Sequence, residues 1–140
     1  MEHNCVFCKI VRGDIPADVL YEDDLVLCFL DIAPINPGHA LIIPKPHHVS
    51  LTTVPEDCLA RMMQVAPRLG AALMRTVDGD GFNLLLANGT CAGQVVPHAH
   101  LHVIPRRTTD TFSLYPSKTV QYADDKEKRD LAEAVRRRLD

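Results

Sequence analysis

The chain has 140 residues, of which 46% are hydrophobic and 24% are charged. This size suits one compact soluble domain with a sizeable core and excludes two domains of ordinary size. The formal net charge of −3 comes from scattered acidic and basic residues, which disfavours a protein that wraps nucleic acid.

Neither membrane insertion nor export is predicted. No apolar run approaches the roughly 20 residues that span a bilayer, and the N-terminal residues lack the basic and apolar regions of a signal peptide. The five cysteines form an odd count without the spacing of a disulfide framework. We therefore expect a cytoplasmic protein with reduced thiols.

The first half of the chain predicts a short helical turn followed by three strands. The turn covers residues 5–11, and the strands are expected at 19–21, 25–30 and 39–43. The second strand is nearly all apolar, so it should be buried on both faces. Prolines and a glycine make residues 31–38 a loop.

The second half predicts a long helix, two further strands and a terminal helix. The long helix is expected at about 55–76, bent or interrupted at Pro67. Strands are expected at 82–87 and 98–104, and the last helix at about 123–139. These elements predict an α+β domain built on a five-stranded antiparallel sheet.

The last predicted strand carries His98, His100 and His102 in alternation with apolar residues. Alternate side chains of a strand share a face, so the three imidazoles would form a row with neighbours about 6.6 Å apart. On a helix the same residues would spread around the axis and could not act together. The other face of the strand would place three side chains in the core: Ala99, Leu101 and Val103.

Three functions are open for this row of histidines. They could be structural residues whose ring nitrogens are hydrogen-bonded within the fold. They could also be ligands of a catalytic metal, although this spacing spreads the ligand atoms over more than one coordination sphere. They could also catalyse phosphoryl or nucleotidyl transfer, which we favour. A neutral imidazole is a nucleophile at working pH, and protonated neighbours could neutralise phosphate oxygens. His100, flanked on both sides, is then the predicted nucleophile.

The triad followed by two apolar residues resembles the signature of the histidine triad (HIT) family of nucleotide hydrolases and transferases, near its zinc-binding bacterial type and the Hint and Fhit branches. The resemblance covers about residues 5–107 and implies a single HIT-like domain over 1–140, with a C-terminal helical extension at about 108–140. Further motifs follow in family order: Cys5-x-x-Cys8, Gly13-Asp14-Ile15-Pro16, Phe29-Leu30-Asp31-Ile32, Gly38-His39, Ile43-Pro44-Lys45, Asn88-Gly89 and Gly93-Gln94.

This resemblance implies reaction at the α-phosphorus of a purine nucleotide derivative. His100 would attack, a covalent nucleotidyl-histidine would form, and water would release the nucleoside monophosphate. His102 and His39 would flank the phosphate and handle protons and charge. A nucleoside phosphoramidate, a dinucleoside polyphosphate or an adenylate could each be the substrate. The resemblance also implies a homodimer, and neither a catalytic cofactor, nucleic acid nor a membrane is expected.

The resemblance assigns the substrate-binding residues as well. Asn88 and Gln94 would bind the phosphate, and Asp31 the ribose, since a carboxylate can accept hydrogen bonds from two adjacent hydroxyls. The alternative for each apolar residue of the base pocket is ordinary packing in the core. The residues implied for this pocket are Phe7, Ile10, Ile15, Phe29 and Ile32.

The cysteine pair Cys5-x-x-Cys8 alone fits half of a zinc site, a redox pair or free thiols. The resemblance implies a zinc ion held by both cysteines together with His47 and His98, with His48 as a neighbouring competitor. Four protein ligands leave no open position, so this zinc would be structural.

One departure from the family bears on catalysis. Val95 stands where many relatives carry a hydroxyl near the leaving group, so inefficient cleavage of phosphoramidates is expected. Two alternative functions stay open: a nucleotide-binding regulatory protein with little turnover, and a metal-dependent phosphohydrolase that uses the triad as ligands.

Overall fold

The computed structural model describes residues 3–114 and 118–139. The described residues fall into two compact units, divided between Asp110 and Thr111. The first contains helices α1 (Val6–Arg12) and α2 (Glu56–Val77) and two single-turn 3-10 helices, Leu51–Thr53 and Thr90–Ala92. Its strands are β1 (Val19–Glu22), β2 (Val26–Leu30), β3 (Ala40–Pro44), β4 (Gly81–Leu85) and β5 (Leu101–Arg106).

The five strands form one sheet in the order β1-β2-β3-β5-β4. Every neighbouring pair is antiparallel. The predicted α+β fold with a five-stranded antiparallel sheet is therefore confirmed. Strand β2 is buried along nearly its whole length, as its apolar run predicted.

The sheet is covered on both faces. Helix α2 packs its apolar stripe against alternate residues of β2, β3 and β5, among them Cys28, Ile42 and Val103. It continues through Pro67 as one helix. The other face carries Leu27, Phe29, Leu41 and Ile43, which pack against α1. Side-chain alternation places His102 beside Leu41 on this α1 face.

The predicted histidine strand is only partly correct. Strand β5 begins at Leu101, so His98 and His100 precede it and only His102 lies within it. Upstream of β5 the backbone bonds to a loop instead of a strand, since the Ala99 N–H donates to the carbonyl of His48 at 2.6 Å. The three predicted core residues of this segment are nevertheless buried: Ala99, Leu101 and Val103.

The second unit contains helix α3 (Asp125–Arg136), which lies within the predicted span of about 123–139. Asp124 caps the helix by accepting a hydrogen bond from the Glu127 N–H. An ion pair one turn apart, Lys126 with Asp130, adds further support. Among residues 3–114 and 118–139, no helix is both long and apolar enough to cross a membrane.

Candidate active site and metal cluster

Helix α1 begins at the cysteine pair. Cys5 is its N-cap, and the Cys5 Sγ accepts a hydrogen bond from the Cys8 N–H at 3.4 Å. Gly13 ends the helix at φ 82°, a left-handed conformation that favours glycine. The short helix therefore brings both thiols close together at its N-terminus.

Two histidines complete a cluster with these thiols, which we call the metal cluster: Cys5, Cys8, His47 and His98. The His98 Nδ1 lies 3.4 Å from the Cys5 Sγ and 3.6 Å from the Cys8 Sγ. The His47 Nδ1 lies 3.4 Å from the Cys8 Sγ. Zinc bond lengths of about 2.3 Å to sulfur and 2.0 Å to nitrogen give N···S edges of about 3.5 Å in a tetrahedron. The observed edges fit that geometry.

The ring of His98 is oriented by the backbone. Its Nε2 lies 2.8 Å from the Pro44 carbonyl oxygen. A carbonyl can only accept, so the proton of the neutral ring is on Nε2 and the Nδ1 lone pair faces the thiols. Burial lowers the pKa of His98 to about 4, with neighbouring histidines adding to the effect and the Pro44 hydrogen bond opposing it. A neutral ring is the form that binds a metal.

His47, not the neighbouring His48, joins the metal cluster. The His48 Nδ1 lies 3.2 Å from the Thr53 hydroxyl instead. The structure thus places the side chains of the four residues predicted for zinc together at suitable distances, and the donor set of two thiols and two imidazoles suits that metal.

A second backbone carbonyl orients His100. Its Nδ1 donates to the carbonyl oxygen of His98 at 2.7 Å. The proton of the neutral ring is therefore on Nδ1, and Nε2 keeps its lone pair. The ring is buried, with 7% of its surface exposed, and Phe7 packs edge-on against it with ring centroids 5.2 Å apart. The hydrogen bond and the ring contact together fix the orientation of the His100 imidazole.

His39 and His102 form a chain of hydrogen bonds with opposite polarity, which we call the relay. The Ile35 N–H donates to the His39 Nδ1 at 3.0 Å. Because that nitrogen must accept, the His39 proton is on Nε2, which lies 2.8 Å from the His102 Nδ1. His102 then carries its proton on Nε2. Its ring centroid is 4.9 Å from that of His100, so a donor lies beside the predicted nucleophile.

The relay histidines are neutral in the free protein at neutral pH. Burial lowers the pKa of His102 to about 4, with His100 and His39 contributing and Asp31 opposing. Burial also lowers the pKa of His39, again opposed by Asp31. The expectation of protonated neighbours is therefore replaced by one of neutral hydrogen-bond donors.

Asp31 lies next to the relay. Its Oδ2 is 3.6 Å from the His39 Nε2, and its Oδ1 accepts from the Ala33 N–H. Asp31, His39 and His102 could by distance hold a metal ion. The Ile35 N–H argues against this, because it leaves the His39 Nε2 with a proton in place of a lone pair. Hydrogen bonding therefore suits this group better than metal binding.

The two predicted phosphate-binding amides are used differently. The Asn88 Oδ1 accepts from the Leu51 N–H at 2.7 Å, which leaves the amide hydrogens for a ligand. The Gln94 Nε2 donates both hydrogens, to the carbonyls of Val49 and Val96. Phosphate binding by Gln94 would require one of these bonds to be released.

The residues predicted for the base pocket are in part neighbours, since Ile10 packs against the buried cluster that contains Phe7 and Phe29. Phe7 and Phe29 are buried together with ring centroids 5.5 Å apart. Ile10 and Ile15 line a groove of about 320 Å³ between the end of α1 and β1. Ile32 is 99% exposed.

A model of the HIT domain family matches residues 12–109. The chain belongs to the HIT family. The family predicted from the motifs is thereby confirmed, and the metal cluster and relay described above are features of a HIT protein.

Curated HIT relatives include enzymes. Adenylylsulfatase HINT3 of Arabidopsis thaliana is 43% identical over 142 residues, covering 99% of this chain and 71% of the relative. Adenosine 5′-monophosphoramidase HNT1 of Candida albicans is 42% identical over 112 residues, covering 77% and 74% respectively. Both names denote hydrolases, and this HIT protein is an enzyme, as predicted.

Solved HIT structures share the fold. A HIT family member from Bacillus subtilis is 34% identical, with a TM-score of 0.91 and 99% of both chains covered. A zinc-bound histidine triad family protein from Mycobacterium smegmatis is 40% identical, with a TM-score of 0.75 and coverage of 96% of this chain and 94% of that one.

Sequence reasoning missed the group that orients His39. The Ile35 N–H sets the tautomer of His39, and no side-chain motif could have revealed it. Asn36 was likewise passed over as part of a proline-rich loop. The one available signal was that this loop leads directly into Gly38-His39.

Proposed function

We propose that this HIT enzyme hydrolyses adenylylated compounds at the α-phosphorus, with the His100 Nε2 as nucleophile. The observation that carries the proposal is the hydrogen bond from the His100 Nδ1 to the His98 carbonyl. It leaves an unprotonated nitrogen on a buried, rigidly held imidazole, which is the form that attacks phosphorus.

The reaction proceeds in two displacements. The Nε2 lone pair forms a bond to phosphorus while the bond to the leaving group breaks, and the leaving group keeps that electron pair. The nucleotidyl-imidazolium keeps its Nδ1 proton, which stays hydrogen-bonded to the His98 carbonyl oxygen. Water then bonds to phosphorus and loses a proton to solvent, the phosphorus–nitrogen bond breaks, and the nucleoside monophosphate leaves.

His102 contributes a hydrogen bond from Nε2 to the phosphate oxygens. The relay fixes this donor before the substrate arrives, because His39 occupies the other nitrogen of the His102 ring. A donor that needs no reorganisation stabilises developing charge more effectively than a mobile one. The His39 and His102 rings both act as neutral donors in the free enzyme.

The substrate is a purine nucleotide held at three points. Asp31 accepts hydrogen bonds from the ribose hydroxyls, and its partial exposure leaves it accessible. Asn88 donates its free amide hydrogens to the phosphate, whereas Gln94 holds the surrounding loop. The base would lie against the predicted apolar residues, of which Ile10, Ile15 and Ile32 are accessible while Phe7 and Phe29 are buried.

The leaving group is one that departs without a proton. Val95 is 88% exposed and has no hydroxyl to donate, which favours an anion such as sulfate over an amine. The similarity to a relative named adenylylsulfatase supports this choice. Turnover of phosphoramidates is therefore expected to be the weaker activity.

A structural zinc is part of the same proposal. The metal cluster would hold it through two thiolates and two imidazoles, and the similarity to a zinc-bound HIT protein supports this assignment. With zinc bound, these four residues would link α1, the segment after β3 and the triad, and four protein ligands would leave no open position for substrate. A homodimer in the cytoplasm remains the prediction for assembly and location.

Two alternatives make different predictions. A regulatory nucleotide-binding protein would bind the nucleotide with little turnover, which Val95 leaves open. A metal-dependent phosphohydrolase would need lone pairs on the triad, and the protonation pattern of the relay disfavours it. Chelation tests the metal-dependent phosphohydrolase, because for such an enzyme removal of the metal would abolish turnover while the fold persists.

The test is to trap the intermediate. After rapid acid-free quenching of a reaction with adenylyl sulfate, peptide mass spectrometry should find the nucleotidyl group on His100. In His100→Ala, turnover should fall by about 10⁴-fold or more, because the nucleophile is lost. Nucleotide binding, measured by calorimetry, should persist.

The matched control is His48→Ala, since His48 lies outside both the metal cluster and the relay and contacts the Thr53 hydroxyl. It should retain turnover within about twofold. Retained turnover in His100→Ala, or an adduct on another histidine, would refute the assigned nucleophile.

A further inference from the structure

The loop before His39 is latched to the far end of β5 by one side chain. The Asn36 Nδ2 donates to the Pro105 carbonyl and to the Asp110 Oδ2, both at 2.9 Å. Both hydrogens of its amide are therefore used. Asn36 and Asp110 are 74 residues apart in sequence, so this contact joins two distant parts of the chain.

The acceptor of this latch is itself rigidly held. Arg106 donates to both oxygens of Asp110, at 2.8 and 2.7 Å, and the Arg107 N–H donates to the Oδ2 at 2.9 Å. A bidentate arginine fixes a carboxylate in position as well as in charge. The Arg106 hydrogen bonds, helped by Arg107 and Asn36, hold the pKa of Asp110 well below its usual range.

The turn that contains Asn36 packs closely against the rest of the unit. The His39 N–H donates to the Asn36 carbonyl at 3.0 Å, and Gly38 between them has φ +88°. A Cβ at Gly38 would lie 3.1 Å from the Val77 Cγ1 and 3.3 Å from the Pro105 Cγ. The loop therefore has little room to move as long as the latch holds.

This turn also places the group that determines the relay. The Ile35 N–H, adjacent to Asn36, donates to the His39 Nδ1 and thereby fixes the proton of that ring on Nε2. If the N–H moved away, His39 could carry its proton on either nitrogen. The His102 proton would then no longer be directed to Nε2.

We propose that Asn36 is a positioning residue for catalysis: by latching the loop to Pro105 and Asp110, it keeps the Ile35 N–H on His39 and so directs the His102 proton toward the bound phosphate. Its catalytic consequence rests on the proposed function, but its effect on the ring protons is a property of the free enzyme. The two can therefore be tested separately.

The experiment compares the wild-type enzyme with Asn36→Ala. Long-range ¹H–¹⁵N spectra of the free enzyme report which ring nitrogen carries each histidine proton. In the variant, the His39 and His102 resonances should shift from a single tautomer to a mixture. With adenylyl sulfate, kcat should fall about fivefold to tenfold, as expected for a lost positioning hydrogen bond, while KM stays within about twofold.

The matched control is Asn83→Ala. Asn83 accepts a hydrogen bond from the Arg106 Nη1 at 2.7 Å, so it belongs to the same network but is neither donor nor acceptor in the Asn36 latch. The histidine ring spectra and the kcat of Asn83→Ala should match those of the wild type. Thermal unfolding of all variants should show that each is folded. If the alanine variant does not fold, Asn36→Ser carries the test, because its single hydroxyl hydrogen can serve only one of the two acceptors and the same tautomer shift is expected.

An unchanged His39 tautomer in a folded Asn36→Ala variant would overturn the proposal. So would equal changes in Asn36→Ala and Asn83→Ala, since these would indicate general destabilisation of the network. If the wild type does not cleave adenylyl sulfate, the proposed function fails in that form. The ring spectra would still decide whether Asn36 controls the relay.

Discussion

The metal cluster and the relay both draw on the histidines between residues 98 and 102, yet they orient imidazoles in different ways. In the metal cluster, lone pairs converge: the Nδ1 atoms of His47 and His98 lie 3.4 to 3.6 Å from the thiols. In the relay, protons run in one direction, from the Ile35 N–H through His39 to His102. The same side chain is therefore suited to a metal in one region and to proton donation in the other.

Backbone groups produce this difference. A carbonyl beside one ring nitrogen places the proton there and leaves the opposite nitrogen with a lone pair, as Pro44 does for His98 and His98 does for His100. An N–H has the reverse effect, as Ile35 shows for His39. His98 belongs to both regions, because its ring faces the thiols while its carbonyl sets the tautomer of His100.

The largest expected effect is the loss of the metal cluster. In Cys8→Ser, bound zinc should fall from about one ion per chain to nearly none, because a hydroxyl does not replace a thiolate ligand. Stability should fall by several kcal/mol, since the binding free energy of a structural zinc contributes to folding. Elemental analysis and denaturant unfolding measure the two quantities.

Cys91→Ser is the matched control, since Cys91 is an exposed cysteine outside the cluster. It should keep its zinc and its stability. Undiminished zinc in Cys8→Ser would refute the metal assignment and leave free thiols or a redox pair as the remaining interpretations.

The next largest effect should separate the relay from the metal cluster. In His102→Ala, kcat with adenylyl sulfate should fall about 10²-fold, the usual cost of removing a positioned proton donor. Zinc content should stay unchanged, since His102 lies outside the metal cluster. A loss of zinc with unchanged kcat would reverse the assignment of the two regions.

The limits of sequence-based prediction follow from the same residues. Apolar runs and punctuating prolines were sufficient to predict the sheet and both long helices, because burial and turns leave periodic signals. The spacing of Cys5, Cys8, His47 and His98 predicted a cluster once the family pattern was available. The prediction that all three histidines lie on one regular strand was wrong for His98 and His100, because the hydrogen bond from the Ala99 N–H to the His48 carbonyl replaces strand pairing there.

The protonation pattern was beyond sequence reasoning for a different reason. It depends on which backbone group approaches each ring, and a backbone group is the same at every residue type except proline. Burial similarly converted the expected protonated His102 into a neutral donor. Such effects become predictable only when the tertiary contacts are known.

The smallest expected effect is a dependence of stability on pH that originates in the relay. The pKa of His102 is lowered from 6.5 to about 4 in the folded protein, mainly by burial. Between these values the unfolded chain binds more protons than the native state, so stability should rise from pH 4 to about 6.5 and be fully present above it. In His102→Ala this rise should be smaller.

Denaturant unfolding of both proteins at several pH values between about 4 and 7 measures this difference. Acid also protonates the ligands of the metal cluster and so releases zinc. That contribution is common to the two proteins, because the substitution lies outside the cluster, and it cancels in the difference between their pH profiles. If both proteins lost stability equally on acidification, His102 would not be held neutral by its burial, and the relay would have to be assigned a protonated form.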